Sequence, residues 1–80
     1  MKTKITLDYP VEMKGETVTE LSIRRVKVRD QVIAAKAGGT DQDKEVRLFA
    51  NLCEVSPQVI EELDMVDYRK VQEIYDGFLS

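Results

Sequence analysis

Four apolar residues alternate near the start of this chain, Ile5, Leu7, Tyr9 and Val11, with the period of a strand that buries one face. Apolar residues return at Leu21 and Ile23, and Gly15 lies between the two runs. The pattern predicts an antiparallel hairpin. That limits the fold sharply, because two strands alone are marginal in water and their apolar face must be covered by helices. A two-residue loop at Lys14-Gly15 would set Ile5 opposite Arg24 and Leu7 opposite Ser22. A three-residue loop of Met13, Lys14 and Gly15 instead pairs Ile5 with Ile23, Leu7 with Leu21 and Tyr9 with Thr19, and leaves Lys4, Thr6, Asp8, Glu20, Ser22 and Arg24 to water. A one-residue slip moves every side chain to the other face, so the three-residue loop is expected, with Gly15 left-handed. Pro10 has no N–H to donate, which makes the first strand an edge or breaks its pairing there.

After Arg25 the period becomes helical. Val28, Val32 and Ala35 form one stripe, widened by Ile33 and Ala37, and Gly38-Gly39 marks the end of that helix. Thr40 caps a second helix running to about Glu54, with Asp41 and Asp43 in its first turn, where the helix dipole favours negative charge. Its apolar residues Val46, Phe49, Ala50 and Cys53, with Leu48 and Leu52 beside them, cover a wider arc than one flat contact needs. Ser56-Pro57 opens a short third helix anchored by Val59, Ile60 and Leu63. Asp64 caps a fourth, whose stripe is Tyr68, Val71, Tyr75 and Phe78, with Ile74 beside it. The expected class is α+β: an N-terminal antiparallel β-hairpin followed by three to four helices, as one domain over residues 1–80.

Eighty residues lie near the lower limit for a self-sufficient core, so oligomerisation or a partner would help. The net charge of −3 offers no bulk attraction for nucleic acid. The local exception is Arg24, Arg25, Lys27 and Arg29, which without interleaved aromatics reads first as a hydrated strand-to-helix junction offsetting nearby acids. The lone Cys53 excludes an internal disulfide and suits a reducing cytoplasm; on the apolar side of its helix it reads as a small buried hydrophobe. The start, Met1-Lys2-Thr3-Lys4, lacks the continuous apolar run of a signal peptide, and no segment is long enough to cross a bilayer. With no histidine and no phosphate-loop glycine pattern, the sequence offers no catalytic, cofactor-binding or metal-binding set, and none is assigned. Glu61, Glu62, Asp64 and Asp67 read as caps and a solvated face.

The hairpin from Ile5 to Ile23, Arg25-Val26-Lys27-Val28-Arg29-Asp30, Ala37-Gly38-Gly39, and Ser56-Pro57 followed by Glu62-Leu63-Asp64-Met65-Val66-Asp67-Tyr68 stand in an order and spacing that resembles the small tail assembly chaperones of Mu-like bacteriophages and prophages. Val26 departs from the proline that relatives often have there. The resemblance implies a non-catalytic protein of the bacterial host's cytoplasm. It would bind the hydrophobic tape measure protein, promote polymerisation of tail tube protein around it, and leave before the virion matures. It also implies a longer product made by ribosomal frameshifting, the end at Leu79-Ser80 fitting the short one. Two other classes compete: a small structural tail component retained in the virion, and a regulatory nucleic-acid binder using Arg24–Arg29. The candidate partner interface, for a client or a second copy, is the outer edge of helix two at Leu48 and Leu52 and the end of helix four at Tyr75, Phe78 and Leu79.

Overall fold

The computed structural model describes residues 2–80. Strands β1 (Lys2–Met13) and β2 (Glu16–Arg24) form an antiparallel two-stranded sheet, followed by helices α1 (Val28–Lys36), α2 (Asp41–Cys53), α3 (Pro57–Glu61) and α4 (Met65–Phe78). The class is the expected α+β, and the helix boundaries follow their signals. Thr40 Oγ1 accepts from Asp43 N–H at 3.1 Å while Asp43 Oδ2 accepts from Thr40 N–H at 3.0 Å, a reciprocal capping box built with aspartate. Pro57 sits in the first turn of α3, and Asp64 Oδ1 accepts from Val66 N–H at 2.9 Å at the start of α4. A left-handed Glu54 ends α2, with Val55 N–H bonded back to Ala50 O at 3.0 Å.

The hairpin is where the structure departs from expectation. Met13 pairs with Glu16, so the loop is the two-residue Lys14-Gly15, with φ of 52° and 80°. Two positive φ angles are what the tight type I′ hairpin turn requires, and its twist matches that of the strands. That turn alone would have put Ile5 opposite Arg24. Instead the ladder runs Val11↔Val18, breaks, and resumes at Thr6↔Glu20 and Ile5↔Leu21. Leu7 to Pro10 thus span the gap that Thr19 alone spans on β2. An offset of three residues is odd, so it flips the alternation and returns the apolar side chains to the core.

Ile5, Leu7, Val11, Leu21 and Ile23 are all buried by this device, whereas Tyr9, expected on the same face, is carried outward and is 56% exposed. The expected pairs Leu7–Leu21 and Ile5–Ile23 do not form, although all four residues reach the core. Turn geometry governs the tip, burial governs the base, and the bulge at Pro10 reconciles them. Gly15 at φ 80° has open space around its missing Cβ, so replacing it with valine strains only the backbone. Gly15→Val is expected to lower stability by about 1–2 kcal/mol, read as a lower urea midpoint. No change would mean that the turn tolerates a β-branched residue.

The sheet lays its apolar face on the helices, β2 against α2 and β1 against α4, and α2 also packs against α1 and α3. Phe49 is the hub: it is 1% exposed, with Tyr68 and Tyr75 ring centroids at 5.6 and 5.5 Å in tilted and edge-on contact. The wide apolar arc of α2 is explained by its neighbours on several sides. Leu48 and Leu52, expected as an outer edge, are 6% and 0% exposed and belong to the core.

Candidate functional site

The first helix turns its expected face outward. Val28, Val32 and Ile33 are 82%, 45% and 49% exposed, and the residues α1 buries are Asp30 and Ala34. The reason is that α1 is held by polar contacts rather than by an apolar stripe. Arg24, the last residue of β2, donates through both terminal nitrogens to Asp30, Nη1 to Oδ2 at 2.9 Å and Nη2 to Oδ1 at 2.8 Å. Asp30 Oδ2 also accepts from Lys27 N–H at 2.7 Å, tying the strand end, the junction and the first turn of α1 to one buried carboxylate. Gln31 Nε2 donates to Tyr75 Oη, which joins α1 to α4. Arg25 stacks its guanidinium 5.2 Å from the Phe78 ring centroid and donates to Phe78 O at 3.1 Å. These contacts place α1 beside the C-terminal end of α4. The basic run is therefore divided. Arg24 is paired with the buried Asp30 and Arg25 lies over Phe78, while Lys27 and Arg29 remain exposed.

The expected interface residues of α4 separate as well. Tyr75 and Phe78 are partly buried and packed against the core, whereas Leu79 is 62% exposed. On α1, the exposed aliphatic residues are accompanied by the exposed cations Arg29 and Lys36.

A second polar centre supports the hairpin from behind. Asp67, expected on a solvated face, is 0% exposed, and its carboxylate takes the N–H groups of Asp8 at 2.8 Å and Tyr9 at 3.0 Å. Lys70 Nζ lies 3.2 Å from the same carboxylate and 2.9 Å from Asp8, and donates to Thr6 O at 2.9 Å. Two side chains one turn apart on α4 thus replace the ladder bonds that the bulge leaves unmade. The sequence signal was the phase of Asp67, four residues before Val71 on the inward side of α4. Of the remaining acids in that cluster, Asp64 is the cap and Glu61 and Glu62 are exposed.

The two buried carboxylates set the acid response. The bidentate Arg24 outweighs burial and holds Asp30 down to about 2, below an ordinary 3.8. Burial by itself would raise Asp67, but the Asp8 and Tyr9 N–H groups and Lys70 outweigh it and lower its pKa too. A carboxylate with a lowered folded-state pKa gives stability that is complete above its unfolded value and lost as pH falls through the folded one. The unfolding midpoint is therefore expected to hold down to about pH 4 and to fall steeply between about pH 4 and pH 2. An onset above pH 5 would show that other groups control acid unfolding.

Cys53 is buried, and burial pushes its thiol up to about 11, so it behaves as the hydrophobe expected. A cleft of about 430 Å³ between the hairpin tip and α3 is lined by Met13, Lys14, Glu16, Val18, Ser56 and Val59. Among the described residues no group of three His, Cys, Asp or Glu side chains is placed to hold a metal ion, and no helix is long and apolar enough to cross a membrane.

A small α+β protein with a hairpin, four helices and an outward apolar helix face is a candidate binder of other proteins. Residues 4–80 match the family described as "Phage tail assembly chaperone proteins, E, or 41 or 14". The match covers nearly the whole chain, which therefore belongs to the phage tail assembly chaperone family. No curated protein and no solved structure matches it.

Proposed function

We propose that this tail assembly chaperone works without catalysis. It binds the tape measure protein of its own phage or prophage, keeps that long apolar protein soluble, and promotes assembly of tail tube protein around it. On this reading it acts in the cytoplasm of the bacterial host and leaves before the virion is complete. The observation that carries the proposal, beside family membership, is the outward apolar face of α1. Three large aliphatic residues, Val28, Val32 and Ile33, stay in water on this one short helix. At the end of α4, Leu79 is exposed, and Tyr75 and Phe78 are partly buried against the core.

Deleting the gene is expected to leave filled heads and no tails, with tails restored by a plasmid copy. Purified particles are expected to lack the chain. Normal tails after deletion, in a genome with no second copy, would overturn the role. The chain recovered as a stoichiometric part of purified tails would make it a structural component instead.

A further inference from the structure

We infer that the outward face of α1 is the client-docking surface, and that its occupant is an amphipathic helix with acidic residues along the edge that meets Arg29 and Lys36. The inference rests on the reading of the chain as a chaperone for the tape measure protein, and adds where and by what chemistry that client is held.

The spacing of the exposed residues is that of a helix–helix seam. Val28, Val32 and Ala35 are exposed and recur at intervals of four and three, so on an α-helix they lie within an arc of about 60°. That arc points directly away from Asp30 and Ala34, the two residues α1 buries. Such a seam is what a second helix packs against, and the small Ala35 allows close approach. Arg29 and Lys36, each one residue beyond a seam position, run along one side of it, where a coiled coil places its pairing charges. The other side is occupied within the chain, since Gln31 is bonded to Tyr75. A helix of nine residues presents about 13 Å of such a seam, roughly two and a half turns.

Among the described residues, Val28, Val32 and Ala35 belong neither to the core nor to the partly buried residues packed against it. The Arg24–Asp30 pair, the Lys27 N–H bond, the Gln31–Tyr75 bond and Ala34 already hold α1 in place. A surface helix ordinarily turns its aliphatic stripe inward, so the reversal is a conflict between local pattern and fold of the kind that marks a functional site.

Charge identifies the occupant. Arg25, Lys27, Arg29 and Lys36 are exposed, and no exposed acid lies between Leu21 and Thr40, although the whole chain carries −3. A basic rim around an apolar seam selects acids on the partner helix and disfavours basic ones. Nucleic acid fits less well, because phosphates give the seam no apolar counterpart and Arg24, the first cation of the run, is already bound to Asp30.

The test is co-expression of the tape measure protein of the same genome with tagged wild type, with Val28→Asp/Val32→Asp, with Val28→Ser/Val32→Ser and with Arg29→Glu/Lys36→Glu. Urea unfolding of each variant alone is measured beside it, and the exposed positions predict midpoints close to wild type. The inference expects the wild type to recover the tape measure protein. It expects at least a tenfold loss with either Val28/Val32 pair, and a loss with the charge-reversed pair that lessens as salt rises in the wild-type comparison. Wild-type recovery with undiminished recovery by all three variants would overturn the docking surface and leave the chaperone reading standing. No recovery by the wild type would overturn that reading, and the inference with it. Loss of self-association in the variants with client recovery intact would assign the face to a second copy and overturn the inference. Salt-sensitive retention on DNA that the same variants abolish would overturn it in favour of nucleic acid.

Discussion

Replacing Asp67 with alanine is expected to remove about 3–5 kcal/mol of stability, the usual cost of leaving a buried charged cluster without one partner. Asp67 has no exposed surface, and it is the acceptor for two consecutive backbone N–H groups, those of Asp8 and Tyr9. Next to them Pro10 offers no donor, so the bulge has no ladder of its own to fall back on. In the alanine variant those groups face the space the carboxylate filled, and Lys70 keeps only its contacts with Asp8 and Thr6. A domain of this size has roughly 4–12 kcal/mol in total, so the variant should be substantially unfolded at modest urea. Asp67→Asn keeps one acceptor oxygen and sets an amide N–H₂ against a backbone donor, so it should fall between alanine and wild type. An alanine variant within about 1 kcal/mol of wild type would show that the bulge is held by the strands themselves.

Arg24→Ala is expected to cost about 2–3 kcal/mol, somewhat less because Arg24 is partly exposed. The loss leaves Asp30 buried with one remaining donor, the Lys27 N–H. The effect should be concentrated in α1, since that ion pair joins the end of β2 to the first turn of the helix. Amide hydrogen exchange should therefore accelerate over residues 28–36 well before it does over α2. Arg24→Lys should recover only part of the loss, because an ammonium cannot match both carboxylate oxygens in the planar fork. Unchanged exchange in α1 would mean that Ala34 and Gln31 suffice to hold it.

These two centres mark the boundary of what was legible in the sequence. Strands, caps and helix ends were, because each is local chemistry: Thr40 with Asp43, Pro57 at the start of α3, Asp64 capping α4, Gly15 in the turn. The helical core stripe of Phe49, Tyr68 and Val71 was legible too, because its period matched its burial. The register was not. A turn that wanted two residues and a face that wanted the opposite parity were both satisfied through a bulge, and the residue that stabilises it lies about sixty positions away on α4.

The orientation of α1 was hidden for a related reason. Periodicity assigns Val28, Val32 and Ile33 to a buried face only if hydrophobic burial is what docks the helix. Here a carboxylate in the basic run docks it, and the aliphatic side faces out. Of the expected interface residues, Leu48 and Leu52 are buried in the core and Leu79 is exposed.

The most direct test of the chaperone account is the solubility of the tape measure protein made in bacterial cells with and without this chain, read after centrifugation of the lysate. The account predicts that the tape measure protein pellets when made alone and stays in the supernatant when co-expressed, eluting together with the chaperone on gel filtration. A tape measure protein equally soluble in both cases, and eluting apart from this chain, would contradict it.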